Sequence, residues 1–187
     1  MRGTWIVVAA LTAVSVCLTS YDGATQVRAN NTGALFKPIA SVLQSPRCLN
    51  CHPRGDRPTQ GDDRHTHFMN VQRGADGSGM PAMRCSTCHQ VHNNEMLGIP
   101  GAPGWHLAPL SMGWVGLSEG ELCRTLLDRR KNGGRSVADL VTHMTGGDAL
   151  VSYAWNPGGQ RTPPPLSLDA LKAALDAWAA AGAPCPK

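Results

Sequence analysis

Large aromatic side chains are scarce in this chain: its 187 residues include two Phe, two Tyr and five Trp. A tightly filled core is hard to build from so few, and 21 Gly and 14 Pro make the chain loop-rich as well. Long apolar runs are missing too. The longest, Trp5 to Leu18, is about 14 residues, too short to span a bilayer and suited to the apolar stretch of a signal peptide. With Arg2 ahead of it, residues 1–29 read as an export signal cleaved somewhere between 20 and 29, which points to the periplasm. Charge of one sign is also modest. The formal charge of +4 falls once Arg2, Asp22 and Arg28 leave with the leader, and nothing resembles a nucleic-acid-binding surface. The basic cluster Arg124, Arg129, Arg130, Lys131 and Arg135 reads as a solvated helix face.

What is present is cysteine, seven times, in a specific arrangement. Cys48-Leu49-Asn50-Cys51-His52 and Cys85-Ser86-Thr87-Cys88-His89 are both C-x-x-C-H, the attachment signature of a c-type haem. Two thiols at that spacing add across the two vinyl groups of one porphyrin, and the adjacent imidazole becomes the proximal iron ligand. Two such motifs predict two covalently attached haems. A zinc ribbon would also use Cys48, Cys51, Cys85 and Cys88, but its knuckles are separated by about 15–20 residues and need no histidine after each. Cys17 falls in the leader, so Cys123 and Cys185 remain as an even pair in an oxidising compartment. They are expected to form a disulfide closing a loop of about 60 residues, worth about 4 kcal/mol.

Roughly 160 residues after the leader suffice for one domain. Only residues 53–84 separate the motifs, so both haems must share it. The expected fold is mainly α and loop-rich: a single dihaem domain over residues 30–187, folded around its cofactors rather than before receiving them. Residues 30–115 are irregular apart from a short helix, Leu35 to Leu43, stopped before Pro46. Three helices are expected after residue 115. The first opens on a Ser118/Glu121 capping box, buries Leu122 and Leu126, and ends near Asn132-Gly133. The second starts at Ser136 with Val137, Leu140, Val141 and Met144 on one face. The third opens at Ser167 and aligns Leu171, Ala174, Leu175 and Trp178 before Gly182. A Pro-rich loop, Asn156 to Pro165, precedes it.

The second axial position of each iron decides between electron transfer and substrate chemistry. His67, in Arg64-His65-Thr66-His67-Phe68 between the motifs, is the first candidate. This stretch resembles the small dihaem subunit of periplasmic nitrate reductase, in which a His-aromatic step between two C-x-x-C-H motifs supplies a distal ligand. No His precedes Cys48, so the other distal ligand is expected downstream. His143 on the second expected helix, Met112 in a Pro-containing loop and His106 in that same loop are the candidates, in that order. Of Trp105, Trp114 and Trp155, at least one is expected to pack against a porphyrin face.

Beyond the motifs, Cys48-Leu49-Asn50-Cys51-His52-Pro53, Gly61-Asp62-Asp63, Pro100-Gly101-Ala102-Pro103, Asn132-Gly133-Gly134-Arg135 and Gly182-Ala183-Pro184-Cys185-Pro186 resemble a family of exported dihaem cytochromes c labelled as an isoquinoline 1-oxidoreductase subunit. Nothing in the sequence suits a molybdopterin, so the resemblance implies an electron acceptor for a molybdenum hydroxylase rather than the hydroxylase itself. The expectation is a non-enzymatic carrier of single electrons between a dehydrogenase and a respiratory partner. A haem enzyme such as a peroxidase, with one open iron, and a subunit of a stacked haem filament are the alternatives.

Overall fold

The computed structural model describes residues 33–187, so the expected leader lies outside it. Helix α1 (Lys37–Leu43) buries Ile39, Ala40, Val42 and Leu43. It ends where expected, but Pro46 then starts a second helix rather than only ending the first. Proline has no N–H to lose at a first helical position, and α2 (Pro46–Leu49) uses it there to carry Cys48.

Residues 50–116 are mostly irregular, with two minimal antiparallel ladders. Strand β1 (Thr59–Gln60) pairs with β2 (His65–Thr66), Thr59 opposite Thr66. Strand β3 (Gly79–Met80) pairs with β4 (Met83–Arg84) just before the second motif. No helix among the described residues is long and apolar enough to cross a membrane.

The carboxy-terminal part is helical. In α3 (Glu119–Leu127) and α4 (Val137–Met144), Ser118/Glu121 and Ser136/Asp139 form reciprocal capping boxes. A short α5 (Ala149–Ser152) is capped by Asp148. The Ser167 hydroxyl caps α6 (Leu168–Ala180) by accepting from the Ala170 amide. Helix α6 packs on α1 and α4. In the core they share with α3, Leu122, Leu171, Leu175 and Trp178 are fully buried, with the Trp178 ring 5.5 Å from that of Phe36.

Helix α3 stops at Leu127, earlier than the expected Asn132-Gly133. Asn132 instead closes a separate turn: its buried amide donates to the Leu126 and Arg135 carbonyls while its oxygen accepts from the Arg135 amide. This also corrects the expected basic helix face. Only Arg124 lies on α3. Arg129 donates to the Gly134 carbonyl, Arg135 to the Asn132 carbonyl, and Arg130 pairs with Asp128, so these side chains stabilise the turn. Cys123, fully buried on α3, is bonded to Cys185 with their Cα atoms 5.5 Å apart, which fastens the carboxy terminus to the core.

Candidate haem-binding sites

Both C-x-x-C-H segments make the same turn. In the first, the Cys51 and His52 amides both donate to the Cys48 carbonyl at 3.1 Å. In the second, the Cys88 and His89 amides donate to the Cys85 carbonyl at 3.2 and 2.9 Å. The imidazoles are held alike too. His52 Nδ1 donates to the Met112 carbonyl and His89 Nδ1 to the Pro100 carbonyl, each at 2.7 Å. A proton committed to Nδ1 leaves the Nε2 lone pair free for a metal and fixes the ring's rotation. A tryptophan stacks on each ring: Trp114 on His52 at 3.3 Å between centroids and Trp105 on His89 at 4.2 Å, tilted by only 11° and 1°. The residue after each carbonyl is a glycine that has no room for a side chain. A Cβ on Gly113 would fall 2.8 Å from the Pro53 carbonyl oxygen, and one on Gly101 would collide with the Gln90 and His92 carbonyls. In both sites the strap that holds the imidazole thus lies directly on the chain leaving the motif.

Burial sets the protonation states. It pushes His52 down to about 3, with the Met112 carbonyl opposing, and lowers His89 in the same way. Both rings are neutral at pH 7, the form that ligates metals. Burial raises the Cys48 thiol to about 12 and Cys51 to about 11, where neighbouring Cys85 adds to the effect. No group of three or more His, Cys, Asp or Glu converges among the described residues in the way a protein-only metal site requires.

A cavity of about 590 Å³ lies between the motifs, lined by Cys51, Cys85, Cys88, His89 and His67 among others. His67 faces His89 with centroids 6.0 Å apart. These two rings would be the ones to hold an iron between them. His67 Nδ1 donates to the Phe68 carbonyl at 2.9 Å, again leaving Nε2 free. The downstream candidates lie around the first motif. His143 on α4 and His106 both lie near His52, and His106 also lines the cavity beside His89. His143 Nδ1 lies 3.4 Å from Asp148 Oδ2, and His106 Nδ1 donates to the Gly104 carbonyl at 2.5 Å. Met112 is placed differently: its carbonyl is on the Nδ1 side of His52 and its side chain is part of the hydrophobic core. Trp155 takes no part in either site; its indole donates to the Leu166 carbonyl at 2.8 Å.

The residues fit a haem on one further count. Four buried side-chain nitrogens among the described residues have no hydrogen-bond partner: Arg47 Nε, His65 Nε2, Arg73 Nε and Trp114 Nε1. All four sit in the part of the chain that carries the motifs. Three of the four, Arg47 Nε, Arg73 Nε and Trp114 Nε1, are donors, and unsatisfied buried donors cost about 1–3 kcal/mol each, so their concentration here suits a bound group that brings acceptors such as the haem carboxylates. Arg47 and Arg73 gave no signal in the sequence, because an arginine reveals its burial only in three dimensions. No family model, curated protein or solved structure matches the chain.

Proposed function

We propose that this chain is a periplasmic dihaem c-type cytochrome that relays single electrons between a dehydrogenase and a respiratory partner. The observation that carries this is the duplicated setting of His52 and His89: the same turn, the same Nδ1-to-carbonyl bond, the same tryptophan stack and the same bare glycine. When bound, a haem supplies a reversible one-electron couple. The chain's part is to keep two imidazoles neutral, aimed and rigid, so that little has to move when charge changes.

Opposed imidazoles at His67 and His89 favour a His/His pair at the second site. At the first, Met112 gives its carbonyl to the proximal side and its side chain to the core, which favours His143 or His106 as the second ligand. Two filled axial positions per iron suit a carrier rather than an enzyme. The resemblance to the exported family labelled as an isoquinoline 1-oxidoreductase subunit makes a molybdenum hydroxylase the suggested electron donor.

Intact mass of the exported protein tests the cofactor count: processed polypeptide plus two haems is expected, and zinc or a single haem would overturn it. Spin state tests the role. Two low-spin ferric irons at neutral pH are expected, whereas prompt carbon monoxide binding by the reduced protein would indicate a haem enzyme.

A further inference from the structure

We propose that Arg47 and Tyr153 form a carboxylate-binding end to the cavity and hold a propionate of the second haem, an assignment that rests on the dihaem function above. Most of the wall is apolar, including Val71, Met83, Leu97, Ile99 and Trp105, but Arg47, Arg161 and Tyr153 line it too, with the phenol hydrogen-bonded to Arg47 and close enough to Arg161 to feel its charge. Trp105 links this end to the second site, stacking on His89 and meeting Tyr153 edge-on at 4.8 Å.

Arg47 is the unusual member. Its side chain is 2% exposed, yet it is charged. One terminal nitrogen, Nη2, donates to Asp62 and to the Gly61 carbonyl, while Nε is buried without a partner. Asp62 has nothing more to give. Its Oδ1 accepts from Arg47, and its Oδ2 accepts from both the amide and the hydroxyl of Thr162 at 3.0 and 2.7 Å. Two guanidinium groups therefore face one fully used carboxylate, and the end keeps a net positive charge. Arg161 spends its donors on the backbone carbonyls of Pro157, Gly158 and Gly98, so it adds charge rather than a free fork. A ligand for such a space has a broad apolar body and an anionic tail. Buried charge of this kind is retained where it meets an opposite charge. Arg47 directly precedes Cys48 on α2, so the first motif's helix would carry the anchor for the second motif's cofactor.

The experiment compares the purified two-haem protein with Arg47→Gln, Arg47→Lys and Tyr153→Phe, reading midpoint potentials and the propionate bending modes in resonance Raman. Removing a cation beside the propionate favours the ferric state, so in Arg47→Gln one midpoint should fall and one propionate mode should shift, with the other haem unmoved. Arg47→Lys keeps the charge and should restore the midpoint. Should Arg47→Gln fail to mature, Tyr153→Phe decides alone, because it leaves the Arg47–Asp62 pair intact: a shifted propionate mode supports the assignment and an unchanged one overturns it. Unchanged modes and potentials in folded, two-haem variants would likewise overturn it. A wild-type protein without covalent haem would instead sink the cytochrome function itself, which separates the two failures.

Discussion

At the scale of single residues, the axial positions give the sharpest expectations. His67→Ala should open one coordination site on the second haem, producing one high-spin iron that binds carbon monoxide while the other stays low-spin. His143→Ala should do the same at the first site, and His106→Ala should not. A His143→Ala protein with two unchanged low-spin spectra would move the ligand to His106. The glycines behind the straps make a second test. Gly113→Ala should disturb only the first haem and Gly101→Ala only the second, because each Cβ would strike the chain leaving its own motif. Spectra of both variants, compared with wild type, check this. The two motifs were legible in the sequence because C-x-x-C-H is a pattern of residue type and spacing, and in the structure both segments make the same turn. The partners of the imidazoles were not, since a backbone carbonyl such as that of Met112 or Pro100 carries no signature in the letters. Met112 shows the difficulty well. Its residue type suggests a sulfur ligand, while what the structure shows is its carbonyl accepting from His52 and its side chain lying in the core.

At the scale of elements, the capped helices follow from local chemistry and were readable in advance; Ser118, Ser136 and Ser167 cap as expected. The end of α3 was not, because Asn132 satisfies the turn through its side chain, a tertiary choice rather than a propensity. The loop between α5 and α6 depends on Asp62, which the Thr162 hydroxyl foremost holds below the ordinary carboxylate range. The sign follows directly. The unfolded chain binds the Asp62 proton more readily, so the tie is fully present above an ordinary aspartate value of about 3.9 and is lost as pH falls through the lower folded value. Tm should therefore drop as pH falls below about 4, with a shallower slope in Asp62→Asn. Equal slopes would mean that the loop does not rely on this carboxylate.

Across the whole molecule, the hydrophobic core and the haem-motif segments are different materials. The core is dense and helical, and Leu171→Ala within it should cost about 2–5 kcal/mol, measured by denaturant unfolding. The disulfide belongs to that core. Replacing both Cys123 and Cys185 by Ser should cost about 4 kcal/mol while leaving both haem spectra unchanged. Residues 50–116, by contrast, have little regular structure, and Phe68, Met69 and Leu97 line the cavity while exposed. The short spacing between motifs is the reason to expect one domain, whereas the layout of the irregular part has no sequence signal, because chain without periodicity is organised by long-range contacts.

The two straps also differ in reach, and the difference sets a timetable. His89 is anchored by a carbonyl 11 residues downstream, His52 by one 60 residues away. Closing the longer loop costs about 1.5 kcal/mol more in chain entropy. On a chain delivered amino terminus first, the second imidazole locks once residue 100 arrives, while the first must wait for residue 112. The motif that emerges first is the one completed last.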